Sequence, residues 1–101
     1  MNNITQQENQ WQVSGDVLMD NANNIVNLSN SFAMPAELVI DFSAVTDVDT
    51  AALSLLMEWQ RRALSSNCSL SFKHLPEDLN SLAELYGVAT FISHKDRRAH
   101  V

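Results

Sequence analysis

Asp47, Asp49 and Thr50 place two carboxylates and a hydroxyl within four consecutive positions, and three kinds of chemistry use such a spacing. Paired carboxylates can share a proton or supply part of a cation's oxygen shell. An aspartate ahead of an apolar-periodic run caps a helix. A hydroxyl at the first helical position stands at the positive end of the helix dipole, where it can meet a partner or accept a phosphate. The first of these has little else to draw on. No third oxygen-rich motif, glycine-rich phosphate loop or H-E-x-x-H accompanies the carboxylates. His74, His94 and His100 fall at a strand end and in the tail, away from any Ser or Cys with a triad context, and read as solvated surface groups. Cys68 alternates with polar neighbours and reads as a small core residue. No catalytic group, metal ligand or cofactor site is therefore expected, and Asp47 and Asp49 are assigned to loop and cap duties.

Positioning Thr50 requires a strand before it and a helix after it. Residues 38–42 are short, β-branched and nearly all apolar, which predicts a central strand covered on both faces, followed by a short loop. Asp49 then precedes a helix over 50–65, with Ala52, Leu55, Leu56, Trp59 and Ala63 as its apolar stripe and Ser54, Glu58, Arg61, Arg62 and Ser65 opposite. Thr50, Leu53 and Met57 share a face, with Ser54 beside them. Apolar surface next to a polar anchor is typical of a partner site, although the same periodicity fits a helix buried on more than one side.

The other elements follow from similar signals. Trp11 and Val13 alternate with polar neighbours, and Gly15-Asp16 before Val17-Leu18-Met19 suggests the turn of a hairpin. Asp20 can cap a helix over 21–32 with Ile25, Leu28 and Phe32 on one face, weakened by its asparagines. Cys68, Leu70 and Phe72 alternate as a strand. Pro76-Glu77-Asp78 opens a last helix whose buried face is Leu79, Leu82, Ala83 and Tyr86, and Gly87 stands where a left-handed terminator belongs. Thr90-Phe91-Ile92 suggests a final edge segment.

With 101 residues, 46% of them hydrophobic, the chain suits one domain. Its expected division is a frayed lead-in over 1–9, a domain over 10–92 and a basic tail over 93–101. Lys95, Arg97 and Arg98 against Asp96 give that tail +2, which leaves −8 of the net −6 on residues 1–94. An acidic body repels phosphate backbones and anionic headgroups, so a protein partner is expected, with no nucleic acid and no direct membrane insertion. No apolar run is long enough to span a bilayer, and the opening residues are unlike a signal peptide, so a cytoplasmic location is expected.

Residues 39–56, centred on Val48-Asp49-Thr50-Ala51-Ala52-Leu53, resemble the signature of STAS domains, the fold of anti-sigma factor antagonists and sulfate-transporter tails. Trp11-Gln12-Val13-Ser14-Gly15-Asp16, the Trp59 helix and Leu82-Ala83-Glu84-Leu85-Tyr86 are similar to the branch that serves bacterial phospholipid-transporting ABC complexes, and the likeness covers about 11–92. Ala52 stands where the family commonly has glycine. The resemblance implies a single α/β domain of the STAS (SpoIIAA-like) kind, with a mixed, mostly parallel sheet, an N-terminal hairpin and three to four helices. It implies a non-enzymatic cytoplasmic subunit, peripheral to the inner membrane, that binds the transporter's ATPase subunit and, through it, the permease. Asp49, Thr50, Ala51, Leu53, Ser54 and Met57 would form the partner-binding site. The family's alternative is an anti-sigma factor antagonist in which Thr50 is the phosphoacceptor.

Overall fold

The computed structural model describes residues 3–88. Its elements are β1 (Ile4–Gln7), β2 (Gln10–Val17), α1 (Ala22–Ser29), β3 (Glu37–Val48), α2 (Thr50–Ser65), β4 (Ser69–Lys73) and α3 (Glu77–Leu85). The four strands form one sheet in the order β1-β2-β3-β4, antiparallel between β1 and β2 and parallel thereafter. This is the small α/β architecture, with a mostly parallel mixed sheet and an N-terminal hairpin, that the sequence predicts.

The hairpin itself lies earlier in the chain than expected. Gln7 pairs with Gln10 around a Glu8-Asn9 turn, and Ile4 pairs with Val13, both of them buried. Residues 4–7 thus form a strand and are no frayed lead-in. A single inward side chain, Ile4, is too weak a period-2 signal to be seen without its partner strand. Gly15-Asp16 makes no turn: Gly15, at φ +76, sits inside β2, where the register with β3 shifts on either side of Ser14-Gly15. A residue in that region of backbone space is what a bulge needs and what glycine supplies without strain.

β3 runs twelve residues, more than twice the predicted 38–42, because the second half of β2 pairs with it through Ala44, Val45, Asp47 and Val48. The expected loop before Asp49 is strand. Nor is β3 covered on both faces by helices. Leu38, Ile40 and Phe42 point to the side where α1 packs on α2 and α2 on α3. There Trp59 meets Trp11 at 5.7 Å and Phe42 at 6.4 Å, edge to face. The other side carries a polar row in register across all four strands, Thr5, Gln12, Asp41 and Lys73. An apolar run interrupted by one well-bonded aspartate mimics the sequence of a strand buried on both sides.

α1 is shorter than predicted and starts differently. Asn21, rather than Asp20, stands at its N-cap, and the Asn21 side chain accepts from the Leu18 N–H at 2.7 Å while its amide donates to the Asp16 carbonyl at 2.8 Å. Its far end is closed by α2: the Arg62 guanidinium donates to the carbonyls of Ser29 and Phe32 and lies 5.7 Å from the Trp11 ring centre. Arg62 therefore leaves the polar stripe assigned to it. In α3, Leu79 and Ala83 are buried, but Tyr86 is 59% exposed, beyond the last helical residue and outside the face predicted for it. Gly87, at φ +73, ends the helix as expected. The predicted segment Thr90-Phe91-Ile92 and the basic tail lie outside the described residues.

Candidate functional site

Asp49 does three jobs at the start of α2. In an extended conformation, its Oδ1 accepts from the Ala51 N–H at 2.8 Å, its Oδ2 accepts from the Met19 N–H at 3.0 Å, and its own N–H reaches the Val17 carbonyl at 3.4 Å. The first bond caps α2. The other two tie that cap to the turn between β2 and α1, so helix start and turn hold a fixed relation. Asp47 stands apart on β3, exposed, with its Oδ1 on the Val48 N–H at 3.0 Å. The two carboxylates thus hold separate backbone donors.

Beyond the cap, Thr50 and Ser54 are exposed and Ala51 and Met57 half-buried. These four, with Leu53, line one side of a groove of about 750 Å³. The facing wall is Met19 ahead of α1, Ala22 and Val26 on α1, and Tyr86 and Val88 past α3. Among the described residues the Thr50 hydroxyl has no hydrogen-bond partner, and Thr50 lines the groove. A smaller hollow continues along α2, lined by Ser54, Met57, Glu58, Arg61 and Leu64.

Two sequence expectations change here. Leu53 is only 5% exposed and belongs to the hydrophobic core, since α1 and α3 both pack on α2 and periodicity alone leaves its position open. It forms the groove's floor rather than an exposed contact. Asp49 does not line the groove; it positions Thr50 through the cap. Conversely, sequence reasoning missed Met19, 75% exposed, and Tyr86, which form the opposite wall. An exposed methionine or tyrosine has no periodic signature that separates it from a core one.

A second polar cluster lies on the sheet's helix-free side. Asp41, 6% exposed, accepts from the Ser43 N–H and Oγ and contacts His74 Nδ1, each at 3.0 Å. His74 holds this contact from a left-handed backbone, φ +60. Serine, aspartate and histidine are in touch, yet the serine donates to the aspartate and not to the imidazole, which is not the serine–imidazole–carboxylate order of a triad. Burial would raise the Asp41 pKa, but the hydrogen bonds from His74 and Ser43 outweigh it and hold the carboxyl below its ordinary range. Burial also pushes the Cys68 thiol up, more than Arg62 draws it down, which keeps it in the unreactive protonated form. Among the described residues no group of three or more His, Cys, Asp or Glu side chains is placed to hold a metal ion, and no helix is long and apolar enough to cross a membrane.

Comparison with known proteins adds a family and a fold. The family model described as Mlab, STAS domain, matches residues 1–93. The crystal structure of Mglu is similar at a TM-score of 0.57 and 14% identity, over 73% of this chain and 19% of that one. The structure of Mglu in its native form gives a TM-score of 0.51 and 12% identity, over 69% and 22%. At such identities the likeness is one of fold alone, and the chain spans about a fifth of the length of those structures. No curated protein matches the chain.

Proposed function

This chain belongs to the STAS domain family, through its MlaB-type model, and on that premise we propose that it is a non-enzymatic docking subunit of an ABC transporter that moves phospholipids to maintain outer-membrane lipid asymmetry. In this reading the start of α2 binds the transporter's MlaF-like ATPase and, through it, the MlaE-like permease. The chain then sits on the cytoplasmic side of the inner membrane without entering it. The observation that carries the reading is the groove beside Thr50, a preformed hollow of about 750 Å³ in which Met19, Met57 and Tyr86 stand among Asn23, Ser54 and Glu58, with a Thr50 hydroxyl that has no hydrogen-bond partner among the described residues. A partner's side chain would bury Met19, Met57 and Tyr86 there while Thr50 fixes its register. No catalytic group is needed, and STAS domains are generally regulatory. A subunit that binds one arrangement of an ATPase shifts its population by the difference in binding energy, about 1–3 kcal/mol in ordinary coupling.

Replacing Thr50 with Glu inserts a charge into a contact that must lose its water, next to the Asp49 carboxylate. Copurification of the full chain with the ATPase subunit is expected to weaken roughly tenfold or more, which corresponds to about 1.4 kcal/mol. Undiminished copurification of Thr50→Glu, with normal lipid transport, overturns the proposal. The antagonist reading is separated by intact-mass measurement on protein from its native host, where a phosphate adduct on Thr50 would favour a phosphorylation switch.

A further inference from the structure

The end of the molecule that carries Thr50 holds charge of one sign. Where β2 and β3 finish side by side, Asp16 stands directly opposite Asp47 in their register, and both are exposed. Asp20 is exposed in the turn that follows β2, and Asp49 closes α2. Two of these carboxylates are tied to the turn after β2: Asn21 donates to Asp16 Oδ1 at 3.2 Å, and Asp49 receives the N–H of Met19. Glu58 also lines the groove, but its charge is met by Arg61 beside it. The three cations among the described residues are engaged elsewhere or farther along: Arg61 pairs with Glu58, Arg62 closes α1, and Lys73 ends β4 in register with Asp41. Like charges facing each other across a ladder are destabilising, and among the described residues the Asp16 and Asp47 carboxylates receive hydrogen bonds from Asn21 and Val48 but no cation.

Resting on the docking role above, we propose that the segment received at this end is a cationic one, with an apolar side chain for the groove and one or more Lys or Arg that settle over Asp16 and Asp47. The groove selects for the apolar part, and the carboxylate pair, an independent feature of the adjoining strands, selects for the charge. Exposed rim charges of this kind act mainly on the encounter: they raise the association rate of an oppositely charged partner and leave dissociation to the desolvated contacts.

The test measures association and dissociation of the full chain with the purified ATPase subunit over a salt series from about 0.05 to 0.3 M, a range across which exposed charges become screened. Asp16→Asn with Asp47→Asn keeps the side-chain oxygens that accept from Asn21 and Val48 while removing both charges. The double variant is expected to associate roughly tenfold more slowly at low salt, with a flattened salt dependence and little change in dissociation. Its urea midpoint should match or exceed that of the wild type, which separates lost charge from lost fold. An unchanged association rate and salt dependence, in a chain whose Thr50→Glu variant still fails to bind, overturns the cationic assignment and leaves docking intact. Full binding by Thr50→Glu overturns both. Faster association after replacing Lys95, Arg97 and Arg98 with Gln would assign the acidic end to the chain's own tail, which also overturns the proposal.

Discussion

Asp41 keeps only 6% of its surface in contact with solvent, yet it is held as a carboxylate by the Ser43 amide and hydroxyl and by His74. Those bonds put its folded pKa below the ordinary 3.8. A carboxyl with a depressed folded value binds its proton more tightly in the unfolded chain, so its contribution to stability is complete above the ordinary carboxylate range. The contribution is lost as pH falls below about 4 and on through the folded value. Urea midpoints measured from about pH 5 down to about pH 3 should therefore fall more steeply for the wild type than for Asp41→Asn, which lacks the titrating group. Equal slopes would show that the cluster contributes nothing to acid sensitivity. Little of this cluster is legible in the sequence, since Asp41 interrupts an apolar run and His74 lies 33 positions away. Asp49 is the contrasting case. Its cap to Ala51 spans two positions and is read directly from the order Asp-Thr-Ala, whereas its bond to Met19 spans 30 and is not.

Among the elements, α2 is the one whose bounds, cap and apolar stripe match expectation, because sixteen residues of helical spacing carry their own signal. α1, with eight residues and four asparagines among residues 21–27, depends on its neighbours instead. Arg62 is the chief of these: two carbonyls at the end of α1 receive its guanidinium, which also lies by Trp11. Arg62→Ala leaves those carbonyls without the donor and removes the stacking, at a cost of about 1–3 kcal/mol. Urea denaturation should register that loss, and hydrogen exchange should place it in α1. Arg62→Lys should recover only part of it, since an ammonium cannot offer two donors in a fixed fork. Wild-type stability in Arg62→Ala would mean that α1 needs no closure from α2. The groove beside Thr50 depends on this element, because Ala22 and Val26 of α1 form its facing wall.

For the molecule as a whole, the amino-terminal residues decide whether the sheet is closed on its β2 side. Ile4 is 2% exposed and packs in the same core as Val13 and Trp11. Its truncation to alanine should cost about 2–4 kcal/mol in urea denaturation, as buried isoleucines do. A frayed lead-in would show a change near zero, and that result would detach β1 from the fold. What the linear chain determined by itself rests on spacing of four residues or fewer: the α2 stripe, the Asp49 cap, the exposed Thr50 at the helix start and the left-handed terminus at Gly87. Only the tertiary structure decided that Leu53 is covered, that Tyr86 is uncovered, that Arg62 turns to α1 and that Ile4 belongs to the sheet. The reason is physical. Short-range pattern sets which way a side chain points from its own element, but burial and bonding depend on which other element lies there, and those partners are brought in from distant parts of the chain by the packing of the core.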